Sequence, residues 1–256
     1  MAFDSVLIFS FFCVFVRCSA MFLSSPVFGS QSTPVAIRVM TCMAISGALT
    51  LTIGPKIGAP PSDMYSFVMA IAHEVVAGLL IGTFMSLVLQ AAQMAGSLID
   101  TQMGLGMSQI LNPVNGISST VISQFKYMLA VVIFLSMNGH HLMLQAFVKS
   151  YSDMPGVTMD SLPALKDGLV GLITQLSLLG IQMAAPVVGV SLVVDAALGI
   201  INKAVPQMQV VQVGMPAKIV IGMVALGVGL PAVVAGVNTG VESGMTTLMR
   251  LFGGGQ

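Results

Sequence analysis

The sequence contains very little charge. Of its 256 residues, 7% are charged and 56% are hydrophobic, and the mean hydropathy is +0.98. Soluble globular proteins carry about 25% charged residues, so this composition excludes an ordinary water-soluble fold and predicts an integral membrane protein. Cysteine is scarce too, and no pair has the CxxC spacing, which disfavours a disulfide framework or a zinc site. The three cysteines are expected to be packing residues: Cys13, Cys18 and Cys42.

Common catalytic motifs are absent from the sequence. His73-Glu74 is followed by Ala77 where a zinc-protease motif needs histidine. Gly104-Leu105-Gly106 lacks both a third glycine and the Lys-Ser/Thr of a phosphate-binding loop, and no GxSxG occurs. We therefore expect no enzyme, no cofactor and no metal. Any work that this protein supports would be driven by a partner or by the membrane potential.

Five charge-free windows and a sixth apolar run, interrupted only by Arg17, give about six candidate segments. Each approaches or exceeds the roughly 20 residues that a helix needs to span the hydrocarbon core. No basic residue precedes the first run, whereas a cleaved signal begins with a positive region, so we expect this run to stay in the mature protein. Pro186 should kink the fifth segment. The predicted segments are 5–23, 35–53, 63–93, 127–148, 168–202 and 219–241.

Lysine and arginine do not orient these segments, because a six-span arrangement places four of them on each side. The positive-inside rule needs an asymmetry between the two sides. Two explanations stay open: the segments are not six independent spans, or the charges are too few for the rule to be informative.

A polar stretch over 93–126 interrupts the apolar pattern, with Asp100 as its only charge before Lys126. It is too polar to face lipid and too uncharged for an ordinary aqueous loop. This combination predicts backbone that is buried in protein or lines a cavity. Methionine is unbranched and adapts to many shapes, so Met103 and Met107 in this stretch are candidates for sealing a pore around a moving chain.

Charged residues inside or next to apolar segments need a partner or water, because an isolated charge in a membrane is unfavourable. For Glu74 we favour helix packing over proton transfer. For Asp195, Lys203 and Lys218 we favour ion pairing over a proton relay. Adjacent histidines point about 100° apart on a helix, so packing is favoured over a metal site at His140 and His141. The charged candidates are Arg17, Glu74, Asp100, Asp195, Lys203 and Lys218.

Glycines at four-residue spacing mark two helix faces that allow another helix to approach closely. One face carries Gly78 and Gly82, one turn after Glu74. The other carries Gly236, Gly240 and Gly244 near the end of the chain.

A series of motifs spread over nearly the whole chain resembles the FliR family of flagellar export-gate proteins, which is related to proteins of virulence type III secretion. The residues that carry the resemblance are Arg17, Ser25-Pro26-Val27-Phe28-Gly29, Pro34, Arg38, Glu74, Gly78, Gly82, Gln93, Gly96, Asp100, Gln102, Gly104, Asn112-Pro113, Asn138-Gly139-His140-His141, Pro206-Gln207-Met208, Gly214 and Pro216-Ala217-Lys218.

The resemblance implies an all-α membrane protein of long, kinked helical hairpins with a buried polar loop. Its FliP-like part would cover about 1–165 and its FliQ-like part about 166–256. It implies one copy assembled with several FliP-like and FliQ-like subunits in the bacterial inner membrane, at the flagellar basal body, with much of the assembly raised out of the bilayer plane. Further implied partners are membrane proteins of the FlhA and FlhB type and unfolded flagellar proteins. The resemblance implies no nucleic-acid partner.

In this family a loop after the third long segment projects into the pore as a plug. The resemblance assigns that role here to the pore loop, 104–122, and assigns the charged candidates to subunit interfaces. Glycine allows tight backbone and Asn-Pro favours a turn. The implied gating residues are Met103, Gly104, Gly106, Met107, Asn112, Pro113, Asn115 and Gly116.

Two other functions compete with an export gate. A secondary transporter also uses broken helices and scarce buried charges. A purely structural nucleus for the basal body would depend on the Gly236, Gly240 and Gly244 face, and its loop would tolerate scrambling.

Overall fold

A computed structural model describes residues 2–26, 28, 29, 33–105, 120–153, 162–205 and 210–252. These residues form eight α-helices and no β-strand. The helices are α1 (Ala2–Ser24), α2 (Val35–Ile57), α3 (Met64–Met103), α4 (Val121–Ser136), α5 (Gly139–Asp153), α6 (Leu162–Ala204), α7 (Val210–Val228) and α8 (Leu230–Phe252).

Four helices, α1, α2, α3 and α6, are long and apolar enough to cross a membrane. Up to six spans result if two bent pairs, α4 with α5 and α7 with α8, each count as one. The predicted all-helical membrane protein is confirmed. The FliP-like and FliQ-like parts stay predictions.

Helix α3 has 40 residues and ends at Met103, ten residues beyond the predicted end near 93. Asp63 caps its start, because the Asp63 carboxylate accepts the Ser66 N–H at 3.3 Å. The polar residues near its other end are satisfied inside the helix: the Ser97 and Thr101 hydroxyls donate to the carbonyls one turn earlier, both at 2.8 Å. Polar composition therefore does not end this helix.

Two predicted single segments are each divided. Asn138 separates α4 from α5 and has φ 57°, a left-handed conformation that asparagine tolerates better than most residues. α4 itself begins at Val121, six residues before the predicted start. Gly229 separates α7 from α8, close to Pro231, which lacks an N–H for helix bonding. α6 in contrast continues through Pro186 for 43 residues.

The chain folds into two compact units that alternate along the sequence. In the first unit (Met1–Leu87, Asn138–Leu172 and Val241–Gln256), α2 packs against α1 and α5. Its fully buried side chains include Phe22, Phe84 and Phe147. The second unit (Val88–Met137 and Ile173–Gly240) buries Leu89, Phe134 and Val237.

Candidate functional site

A buried ion pair joins α1 to α3 in the first unit. Arg17 Nε lies 2.6 Å from Glu74 Oε2, and Nη2 donates to Oε1 at 3.1 Å. The two side chains are only 2% and 9% exposed. A guanidinium that binds both oxygens of a carboxylate makes a strong, directional contact, so each charge is compensated within this chain.

Helix α5 completes the surroundings of this pair. Arg17 Nη1 donates to Ser150 Oγ at 2.7 Å, and the Tyr151 hydroxyl donates to Glu74 Oε2 at 2.8 Å. The Tyr151 ring also stacks on the guanidinium, with Arg17 Cζ 3.7 Å from the ring centroid, a favourable cation–π geometry. We call Arg17, Glu74, Ser150 and Tyr151 the ionic cluster. Sequence reasoning missed its last two members.

Gly78 and Gly82 allow α3 to approach the backbone of α1. A Cβ on Gly78 would meet the carbonyl oxygen of Arg17, and one on Gly82 would meet Ser24. The Ser24 hydroxyl reaches the carbonyl of Leu79 at 3.3 Å. Without side chains at these glycines, the two helices lie close enough for Arg17 to reach Glu74.

The glycines near the end of the chain lie in different surroundings. Gly236 faces the side chain of Met183 and Gly240 faces Val88. Gly244 is buried in the first unit. Their role as a face for close packing of another helix stays a prediction.

The pore loop begins at a well-defined helix end in the second unit. Gly104 has φ 78°, its N–H donates to the carbonyl of Thr101 at 3.2 Å, and the Leu105 N–H donates to that of Asp100 at 3.0 Å. This pair of bonds is a Schellman motif, which favours glycine at the left-handed position. Gly104 thus turns the chain out of α3.

Asp100 connects this helix end to the start of α4. Its side chain is fully buried and accepts the N–H groups of Ile122 at 3.3 Å and Ser123 at 2.9 Å, together with the Thr120 hydroxyl. The free N–H groups and the dipole at a helix start favour a carboxylate there. Asp100 therefore caps α4 from a different helix.

A second contact holds the same two helices together. The Ser123 hydroxyl reaches the carbonyl of Gln93 at 3.3 Å, and a Cβ on Gly96 would meet the backbone of Ser123. Both ends of the pore loop are thus fixed side by side. We call Asp100, Gly104, Thr120, Ile122 and Ser123 the loop base.

Met103 and Gly104 belong to the described part of the pore loop region. Met103 is fully buried, and its side chain lies over Gly222 of α7. The remaining predicted gating residues lie outside the described residues: Gly106, Met107, Asn112, Pro113, Asn115 and Gly116.

Asp195 of α6 binds two neighbouring helices. Lys218 Nζ of α7 lies 2.7 Å from both Asp195 carboxylate oxygens, and Gln102 of α3 donates to Oδ2 at 3.3 Å. Lys203 is exposed. The structure thus pairs Asp195 with Lys218, while the position of all these charges at subunit interfaces stays a prediction.

Lys126 is a further buried charge that sequence reasoning did not select. It is 2% exposed and its ammonium donates to the carbonyl of Met183 at 3.0 Å. No carboxylate of the described residues lies within ion-pair distance of Lys126. The sequence signal that could have identified Lys126 as a buried charge is its position at the start of an apolar run.

Possible metal ligands do not gather in the part of the chain that the structure describes, where no group of three His, Cys, Asp or Glu residues could hold an ion. The rings of His140 and His141 lie 4.5 Å apart, centroid to centroid. The geometry of the site is that of buried charge pairing and a capped loop base.

These features define a helical membrane protein with broken spans and a polar loop on a fixed base. Residues 8–244 match the family described as bacterial export proteins, family 1. The flagellar biosynthetic protein FliR of Bacillus subtilis (strain 168) is 33% identical, over 85% of this chain and 84% of its own. FliR of Caulobacter vibrioides is 32% identical, over 86% and 88%. The surface presentation of antigens protein SpaR of Shigella sonnei is 25% identical, over 80% and 78%.

The chain belongs to the FliR family of bacterial export proteins. This confirms the resemblance found in the sequence. With its apolar helices, the chain is a membrane component of flagellar or type III protein export.

Proposed function

We propose that this protein is a core subunit of the flagellar export gate in the bacterial inner membrane. With FliP-like and FliQ-like subunits, it forms the pore through which unfolded flagellar proteins leave the cell, next to membrane proteins of the FlhA and FlhB type. Much of this assembly is raised out of the bilayer plane. The pore loop, 104–122, is the plug of the closed gate.

The loop base is the observation that supports a plug. Asp100 holds the start of α4 against the end of α3, so the segment between them begins and ends at one place. Such a segment can fill or leave a pore while the helices that carry it stay packed. Loops mounted on rigid elements in this way are common carriers of function.

The exposed apolar helices support a multi-subunit assembly. Only 22% of the apolar window of α2 and 17% of that of α6 are buried, against 50% and 56% in α1 and α3. Exposed apolar patches of this extent are covered by lipid or by other proteins. A subunit of a larger gate offers such faces to its neighbours.

The buried charges favour a gate over a secondary transporter. A transporter uses buried charges to bind its substrate or coupling ion. Here the Glu74 carboxylate accepts hydrogen bonds from Arg17 and Tyr151, and the Asp100 carboxylate accepts one from the first turn of α4. Neither carboxylate is left to bind a substrate or ion. The purified chain should therefore show no substrate uptake in liposomes. When it is isolated from native membranes, FliP-like and FliQ-like proteins should copurify with it.

Deletion of Gly106–Ser119 tests the plug directly. In assembled export complexes, the deletion should increase the leak of ions and small solutes across the membrane. The matched control replaces 156–159, in the connection between α5 and α6, with a Gly-Ser sequence of the same length and should leave the leak unchanged. An assembled deletion variant with the leak of the wild type would refute the plug.

A further inference from the structure

The outer side of α3 changes from apolar to polar near residue 80. Positions that recur every three or four residues share one side of a helix. On this side, Val68, Val76 and Leu79 are 52%, 43% and 37% exposed. The same spacing then continues through uncharged polar residues, which we call the polar line: Thr83, Ser86, Gln90, Gln93, Ser97 and Thr101.

The polar line is open at the surface of the chain. Gln90, Ser97 and Thr101 are exposed, and its other three members are partly exposed. Helix α4 in contrast exposes apolar side chains, with Met128 and Val132 at 60% and 63%. Lipid tails offer polar side chains no hydrogen bonds, so lipid is a poor cover for the polar line.

The hydroxyl groups of the polar line are bonded within α3 itself. Ser86 donates to the carbonyl of Thr83 at 2.8 Å. Ser97 donates to the carbonyl of Met94, and Thr101 donates to that of Ser97, again at 2.8 Å. These hydroxyls therefore need no acceptor on a partner helix, while their oxygens can still accept hydrogen bonds from water or from a passing N–H group.

We propose that the polar line is a wall of the water-filled passage of the export gate, where it contacts the backbone of the unfolded protein in transit. An extended chain carries an N–H and a C=O group at nearly every residue, and inside a membrane these groups need water or polar neighbours. This inference rests on the proposed pore function and adds which surface of the chain faces the passage.

The absence of charge on the polar line suits a passage for many sequences. Transport through a pore requires binding that is weak enough for release, and a fixed charge would retain segments of the opposite sign. Asp100 precedes Thr101 in the sequence, but its carboxylate is fully buried and accepts N–H groups of the first turn of α4. The line therefore offers only neutral hydroxyl and amide groups.

Labelling with N-ethylmaleimide tests whether water reaches the polar line. This reagent crosses membranes but reacts with the thiolate, which forms mainly where water solvates it. In export complexes in native membranes, Gln90→Cys and Ser97→Cys should react at least roughly tenfold faster than Val76→Cys and Leu79→Cys, because desolvation disfavours the thiolate. The latter two are the matched controls, on the apolar half of the same side.

The wild type gives the background of this measurement, since its three cysteines are at most 2% exposed. Thr101→Cys replaces either polar-line variant that does not assemble. Labelling of the polar-line cysteines as slow as that of the Val76 and Leu79 controls would overturn the proposal.

A photo-crosslinking amino acid tests the contact with the exported protein. The substrate is a flagellar subunit fused to a folded domain that cannot pass, so that it stops in the passage. At Gln90 or Ser97 the crosslinker should form an adduct with this subunit, and at Val76 it should not. The adduct should be lost when the subunit lacks its export signal.

The outcomes separate this inference from the pore function. If Gln90 and Ser97 crosslink only to another membrane subunit while the complexes still export flagellar subunits, the polar line is a subunit interface and the inference fails, whereas the pore function stands. If export continues unchanged in cells that lack this chain, the proposed function fails first.

Discussion

Arg17 and Glu74 illustrate how a single charge is accommodated in an apolar helix. Burying an ion is strongly unfavourable unless a counter-ion and further hydrogen bonds compensate it. Here the carboxylate, the Ser150 hydroxyl and the Tyr151 ring all contact the guanidinium. Removing one partner therefore leaves the other charged and buried.

Glu74→Ala should destabilise the protein by about 3–5 kcal/mol, because the Arg17 charge loses its counter-ion in a site closed to water. The double variant Arg17→Met/Glu74→Met, which removes both charges at similar volume, should recover most of this loss. The free energy of unfolding is measured in detergent by denaturant titration.

The Asp195–Lys218 ion pair is the control for the effect of burial, because it is a carboxylate–cation pair that is more exposed than Arg17–Glu74. The Asp195 side chain is 44% exposed, so this pair is less desolvated within the chain than the ionic cluster, and Lys218→Met should destabilise the protein less than Glu74→Ala does. Equal effects of Glu74→Ala and Lys218→Met would show that burial does not set the strength of the ionic cluster.

At the residue scale, the sequence predicts the need for a partner but not the partner itself. Arg17 in the middle of an apolar run requires compensation. Glu74 is 57 residues away and Ser150 is 133 residues away, and no local pattern links them. Likewise, the charge of Asp100 makes it a candidate, whereas its role as the cap of α4 depends on how two helices meet in three dimensions.

At the scale of helices, the contact of α1 with α3 depends on glycine. A Cβ at Gly78 would lie 2.9 Å from Ala20 Cβ and closer still to the Arg17 carbonyl oxygen, so backbone must move to accept it. Gly78→Ala should therefore destabilise the protein by about 1–3 kcal/mol, the usual range for an overpacked contact.

Gly171→Ala is the matched control on α6, since nothing lies within 4 Å of a Cβ at that position. Alanine is the better helix former, so this change should stabilise the protein by about 0.5–1 kcal/mol. Denaturant titration compares both variants in the same detergent. Two changes of the same sign would mean that helix propensity, and not the approach of α1, determines the result at Gly78.

The sequence predicts which segments form helices more reliably than it predicts the residues at which those helices end. The apolar runs identify the spans because length and hydropathy reflect the bilayer. The predicted end of α3 lies about ten residues early because serine and threonine are typical of loops, whereas in the structure the Ser97 and Thr101 hydroxyls bond the helix itself. The division at Asn138 depends on a left-handed residue, for which Asn-Gly is a recognisable signal.

At the scale of the whole molecule, α6 is too long for its exposed apolar side chains all to lie in lipid. Ile173 and Ile201 are 49% and 45% exposed, and a helix rising 1.5 Å per residue separates them by about 42 Å. The hydrocarbon core is about 30 Å thick. To keep both in lipid, the helix would tilt by roughly 45°, beyond the usual range of about 0–40°.

Another protein should therefore cover at least one end of this exposed face in the assembled complex. A photo-crosslinking amino acid at Ile173 or at Ile200, which is 70% exposed, should form an adduct with a second protein at one position or both. The same amino acid at Leu176, which is 3% exposed on the same helix, should react within the chain. Lipid adducts alone at both exposed positions would mean that the membrane deforms around α6, and the argument for a protein neighbour there would fail.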